Sequence, residues 1–258
     1  MSTPEFYANA RAYDIAFGDR DYADECRFLE WCWRAHGATT ERSFLELACG
    51  PGRHAQQFAR LGWRAVGLDL SEDMLIYADE VARPAGVLVD WRIGNMVDYS
   101  LPEPVGLVGC LMESLTHLVT NEEVVTHLRA VARSLVPGGV YVIEMAHPDS
   151  IWRDSLPNSW TRREGDMEVD ILFGHQDDPY DWITQQWLVT TRLNIRQDGQ
   201  PERILEHHHP HRWYLAQELR ALIDLSGAFS QTWFYGDMMT PPPALDNNAE
   251  RMVLVLRK

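Results

Sequence analysis

The first 146 residues alternate short apolar runs with longer stretches whose apolar positions recur every three or four residues. Ser43 to Ala48, Arg64 to Leu70, Val87 to Ile93, Val105 to Cys110 and Val140 to Met145 are too short and too uniformly apolar for surface helices, and they read as strands. Helical signals fill the segments between them. Arg53 to Leu61 closes on Gly62, Ser71 caps a helix running to Val81, and Val124, Leu128, Val131 and Leu135 mark one face of a helix that stops at Pro137-Gly138-Gly139. Ahead of the first strand, Tyr22 to Trp33 has the same helical spacing and ends at His36-Gly37. Strands alternating with helices predict an α/β fold built on a parallel, doubly wound sheet.

The helical period stops at His147. Trp182 to Arg196 is rich in β-branched and aromatic residues, and Asp198-Gly199 before Arg203 to His208 is a hairpin signal. Residues 147–213 therefore read as an antiparallel insertion of about three strands after strand five, overlooking the ligand crevice of the sheet as a lid or substrate platform. Leu215 to Leu225 resumes as a helix, followed by strands at Ser230 to Tyr235 and Met252 to Leu256, so residues 1–146 and 214–258 form a core with a seven-stranded sheet.

The turn after the first strand, Ala48-Cys49-Gly50-Pro51-Gly52, brings backbone close to a ligand, and Asp69, nineteen positions after Gly50, ends the second strand where a carboxylate can bond a ribose diol. A dinucleotide site wants G-x-G-x-x-G, but Arg53 and His54 stand where a small residue belongs; no Gly-Lys-Ser or Gly-Lys-Thr follows for a phosphate loop. Glu46-Leu47-Ala48-Cys49-Gly50-Pro51-Gly52 instead resembles the first motif, E/D-x-G-x-G-x-G, of class I S-adenosylmethionine-dependent methyltransferases, with Ala48 for the first glycine. The resemblance spans residues 7–146 and 212–258 and implies a Rossmann-like fold and S-adenosyl-L-methionine as cofactor.

Residue by residue, the resemblance makes Asp69 the ribose ligand and places Leu70 and Met74 beside the adenine. Asn95 and Met96 stand in for the family's G-D-M element, where the Asn95 carbonyl would meet the adenine amino group. Glu46 is expected to pair with the ligand's ammonium group, because an unpaired carboxylate on a buried strand is costly. Tyr13-Asp14 resembles an N-terminal pair whose tyrosine closes over the methionine end, and Cys110 and Leu111 count among the expected cofactor contacts, at the start of the segment after strand four where substrate contacts begin. His117, in that segment, is a candidate general base titrating near pH 6–7, with Tyr13 and His147 as further candidates for readying the nucleophile.

The charge of −15 repels phosphate backbones, which argues against nucleic acid. Four cysteines without a C-x-x-C pair suggest reduced, buried thiols and a cytoplasmic protein, and no stretch approaches eighteen apolar residues, so no membrane contact is expected. Of His207, His208, His209 and His211, alternation along a strand lets only His207, His209 and His211 converge, and Pro210 interrupts them, so no metal site is expected. The resulting reading is a methyltransferase acting at N or O of a small molecule or short peptide, with a homodimer allowed for. Two rivals are a protein that binds S-adenosylmethionine or a nucleotide without methyl transfer, and an NAD-linked oxidoreductase, which the missing third glycine and the lack of a Tyr-x-x-x-Lys pair disfavour.

Overall fold

A computed structural model describes residues 6–149 and 157–258; residues 150–156 of the expected insertion lie outside the described residues. The main sheet runs β11-β12-β5-β4-β1-β2-β3, from β1 (Ser43–Leu47), β2 (Arg64–Asp69), β3 (Asp90–Ile93), β4 (Val105–Cys110), β5 (Leu135–Ala146), β11 (Gln231–Gly236) and β12 (Arg251–Arg257). Only β12 runs against the others, hydrogen-bonded antiparallel to both β5 and β11. Helices cover both faces, which is why β1 and β4 are buried at every position. On one face Leu45, Val108 and Tyr141 pack under α5 (Asn121–Ser134) and α6 (Ala216–Ser226). On the other, Phe44, Leu107 and Val142 meet Phe28 of α2 (Tyr22–His36) and Phe58 of α3 (Arg53–Arg60).

Three expectations need correcting. Strand β5 starts at Leu135, directly out of α5, because Gly138 takes a positive φ of 75° and the backbone can turn within the strand's first residues. Among its described residues the insertion holds five strands, not about three: β6 (Asn158–Glu164), β7 (Met167–Phe173), β8 (Tyr180–Asp181), β9 (Gln186–Gln197) and β10 (Arg203–Arg212). Pro210 does not interrupt β10, since β10 is the outer strand of the order β10-β9-β7-β6 and an edge residue can lack a ladder donor.

The insertion is also less separate than the sequence suggests. Helix α1 (Ala10–Phe17), in a segment without a clear helical pattern, buries Ala12, Ile15 and Ala16 against Val169, Ile171, Leu193, Ile195 and Leu205 of the inserted sheet. Trp160 Nε1 donates to the Ala16 carbonyl at 2.8 Å. A half-covered sheet needs an apolar partner, and the chain's N-terminal segment supplies it.

Glu144, completely buried in β5, is the one charged residue in that strand's apolar run and ties the molecule together. Its Oε2 accepts the Met112 amide at 2.6 Å, and Oε1 meets Arg251 Nε at 3.0 Å and Arg20 Nη2 at 3.4 Å. Burial would push its carboxyl up, but Arg251 and Arg20 outweigh that and hold it below the ordinary range. Glu144→Leu strands two arginines and an amide together, so chemical denaturation should show a loss of about 3 kcal/mol or more; a loss under about 1 kcal/mol would mean that water replaces the carboxylate.

Candidate functional site

The chain leaves β1 toward β2 and β3 on one side, whereas β4 and β5 lie on the other, so the carboxyl ends of β1 and β4 flank a crevice. Tyr13, Glu46, Ala48, Gly50, Leu111 and Met112 line it. The turn after β1 takes positive φ at Ala48 (49°), Gly50 (49°) and Gly52 (65°), with Gly52 capping α3. At Gly50 an added Cβ would meet only Tyr13 Cε1, at 3.9 Å, so backbone there opens toward the crevice. At Gly52 it would lie 2.4 Å from the Trp91 ring, so this glycine serves packing. Ala48 therefore needs more than small size: it holds a left-handed conformation that glycine adopts more easily.

The expected acids are already engaged. Asp69 Oδ2 accepts the Gly50 amide at 2.7 Å and Oδ1 the Ser71 amide at 2.8 Å, pinning the glycine turn to the end of β2, while each oxygen keeps a further lone pair. Glu46 differs from the expectation of a free ammonium partner. Its Oε1 bonds His54 Nδ1 at 2.8 Å and its Oε2 accepts the Ala55 amide at 2.8 Å, so it holds the start of α3. His54 Nε2 in turn bonds Glu25 at 2.7 Å. Burial lowers the His54 pKa, but Glu46 and Glu25 outweigh it and raise it to about 9, giving an imidazolium clamped between two carboxylates.

Toward β2 and β3, Leu70 is 63% exposed and Asn95 lies at the surface, its Oδ1 accepting the Val97 amide at 2.9 Å. Met74, Met96 and Cys110 are sealed beneath, the Met96 carbonyl bonded to His127 at 2.7 Å. Burial raises the thiol pKa of Cys110, and all four cysteines are free and buried.

A second cavity of about 310 Å³ opens between the core and the insertion. Tyr13 and Met112 line both spaces, and Arg20, Glu113, His117, Trp160, His209 and Arg251 line the second. Burial raises the Tyr13 pKa, so its phenol stays protonated. His117 ends a 3₁₀ turn (Ser114–His117) and its ring opens into the cavity, yet the surrounding protein desolvates it and, with His207, lowers its pKa to about 4. That lies below the expected range of about 6–7. His147 is not brought to the cavity: it is buried, with Nδ1 bonded to Asp149. Conversely His209 and His211 share one face of β10 and meet His117, with ring centroids 5.4 and 4.6 Å from it. Sequence reasoning missed this meeting and also Glu144, Arg20 and Arg251, of which only Glu144, a lone acid in an apolar strand, left a signal.

Residues 44–139 match the family model of the methyltransferase domain. This stretch is a methyltransferase domain. A Streptomyces venezuelae dTDP-3-amino-3,4,6-trideoxy-alpha-D-glucopyranose N,N-dimethyltransferase is 33% identical over 138 residues, 53% of this chain and 56% of that one. A Streptomyces fradiae dTDP-3-amino-3,6-dideoxy-alpha-D-glucopyranose N,N-dimethyltransferase is 34% identical over 137 residues, 52% of each chain. The chain thus spans about half the length of these relatives. The crystal structure of Streptomyces venezuelae DesVI superimposes with a TM-score of 0.76 at 21% identity, covering 99% of both chains. A Clostridium acetobutylicum S-adenosylmethionine-dependent methyltransferase gives 0.75 at 17% identity over 98% of both. The whole chain therefore has the class I methyltransferase fold, with the inserted sheet included in the match.

Two predictions follow from the turn and its supports. Ala48→Gly relieves a left-handed residue but loosens the unfolded chain, so thermal unfolding should show no loss and a gain of up to about 1 kcal/mol; a loss greater than that would mean the methyl group is needed for packing. The His54 pKa is raised in the folded state from 6.5 to about 9, so its ionic stabilisation is complete below pH 6.5 and is lost as pH rises through about 9. His117, His127, His209 and His211 have lowered values and act below that window. The melting temperature should fall between pH 6.5 and 9 in the wild type, and His54→Gln should flatten that slope.

Proposed function

We propose that the protein is an S-adenosyl-L-methionine-dependent N-methyltransferase acting on the amine of a small molecule, of the amino-sugar class. The observation that carries this reading is the pair of spaces sharing Tyr13 and Met112: a crevice on the glycine turn for the cofactor and a 310 Å³ cavity for the acceptor. The residues present fit the cofactor, since Gly50 leaves open approach for a ligand, and Asp69 retains acceptor capacity toward a ribose diol. The amino-sugar dimethyltransferases among the relatives favour nitrogen over oxygen as the acceptor atom, and a sugar amine over a peptide. The charge of −15 supports a small molecule over nucleic acid, and four buried free thiols suit a cytoplasmic enzyme.

When bound, the cofactor supplies a methyl group on a positively charged sulfur, already a good leaving group. Asp69 and the turn at Gly50 would hold the cofactor, which would pass that methyl group to an acceptor nitrogen, leaving a neutral thioether and a proton to be released from the nitrogen. What this chain contributes is alignment and exclusion of water. Tyr13, protonated and at the junction, orients the reacting ends by hydrogen bonding, and His117 offers an imidazole at the acceptor's side.

Incubation with S-adenosylmethionine and a panel of dTDP-linked amino sugars should yield S-adenosylhomocysteine and mono- or dimethylated product. Asp69→Ala should weaken cofactor binding by about 2 kcal/mol, about 30-fold, in calorimetry. In the same assay Tyr13→Phe and His117→Ala should lower kcat with cofactor affinity retained. Tight cofactor binding with no S-adenosylhomocysteine from any amine would favour a cofactor-binding protein without transfer.

A further inference from the structure

The histidines of the acceptor cavity do more than line it. One nitrogen from each of His117, His209 and His211 lies within 4.8 Å of the others. His211 is 6% exposed, and its Nε2 is buried without a hydrogen-bond partner; His209 Nδ1 is orphaned in the same way. Buried polar atoms are ordinarily satisfied, so two bare nitrogens on neighbouring rings of one histidine cluster call for a ligand.

The other ring nitrogens explain why these two are bare. Thr116 Oγ1 donates its single proton to the Glu113 carbonyl at 2.7 Å, so toward His211 Nδ1, at 3.1 Å, it accepts. His211 therefore carries its proton on Nδ1 and presents the Nε2 lone pair. His209 Nε2 lies 3.3 Å from Thr191 Oγ1, an oxygen able to take the same part. An outer hydroxyl that fixes the tautomer of a ligating imidazole is a usual companion of metal sites.

We propose that His117, His209 and His211 bind a divalent cation of the zinc type, leaving an open coordination position on the acceptor cavity. Three neutral imidazoles suit zinc and its late first-row neighbours, whereas magnesium and calcium want oxygen ligands. Tetrahedral bonds of about 2.0–2.1 Å bring ligand nitrogens to about 3.4 Å apart, so the rings draw in by about 1 Å, and His117, on a short turn and open to the cavity, has the freedom to do so. With the cation in place His117 is a ligand, and an oxygen of the acceptor meets the metal instead of the imidazole. The site also joins the core to the insertion, since His117 belongs to the turn after β4 and the other two to β10.

The test uses the metal alone and needs no turnover. Protein freed of metal by a chelator and titrated with zinc should bind one equivalent per chain. Cobalt(II) in its place should give the strong visible absorption of a four-coordinate ion. His209→Ala and His211→Ala should each weaken zinc binding by about 100-fold or more, and Thr116→Val by about tenfold. His208→Ala, exposed on the opposite face of β10, should change nothing. If His211→Ala fails to fold, His209→Ala decides, because that ring is only partly buried. Absence of saturable zinc binding by the wild type, or an equal loss in His208→Ala, overturns the proposal.

Discussion

A continuous run of ion pairs and charged hydrogen bonds underlies both cavities. It starts at Glu113 beside the cavity between core and insertion and passes through Arg251 to the buried Glu144, then through Arg20 to Glu25. From there it crosses His54 to Glu46 and ends on the Ala55 amide at the start of α3. Isolated buried charges are prohibitively costly, and here the arginines and His54 are set between carboxylates. The network thus reaches from one cavity to the other. It fixes Met112 and Glu113, whose φ values of 54° and 61° are unfavourable for residues with side chains, and so aims the turn that carries His117.

Helix α1 is the mechanical counterpart of that network. Its apolar face closes the inserted sheet, while Asp14 on its other side holds Arg53, at the start of α3, and accepts the Tyr77 hydroxyl at 2.9 Å. One short helix thus spans the insertion, the glycine turn and α4 (Glu72–Ala82), and carries Tyr13 to the wall between the two spaces. The crevice and the cavity are mechanically joined through it.

The crevice carboxylates first serve the fold. Asp69 and Glu46 hold the turn and α3 by accepting backbone amides. These bonds hold a turn in which Ala48 keeps a positive φ and Trp91 packs closely against Gly52.

Periodicity and glycine spacing were enough to read the doubly wound sheet, the crevice and the antiparallel insertion, because each depends on local pattern or short separation in the chain, while the cofactor class came from the resemblance of the motif from Glu46 to Gly52 to a known family. Glu144 was missed, although an acid within an apolar strand left a signal for it. What only the tertiary structure decided lies in contacts across long separations: α1 on a sheet that follows it by some 150 residues, Arg20 and Arg251 on one carboxylate, and His117 facing His209 and His211. No sequence period encodes such meetings. Pro210 illustrates the reason, since whether it breaks a strand depends on which neighbour that strand has, and β10 lies at an edge.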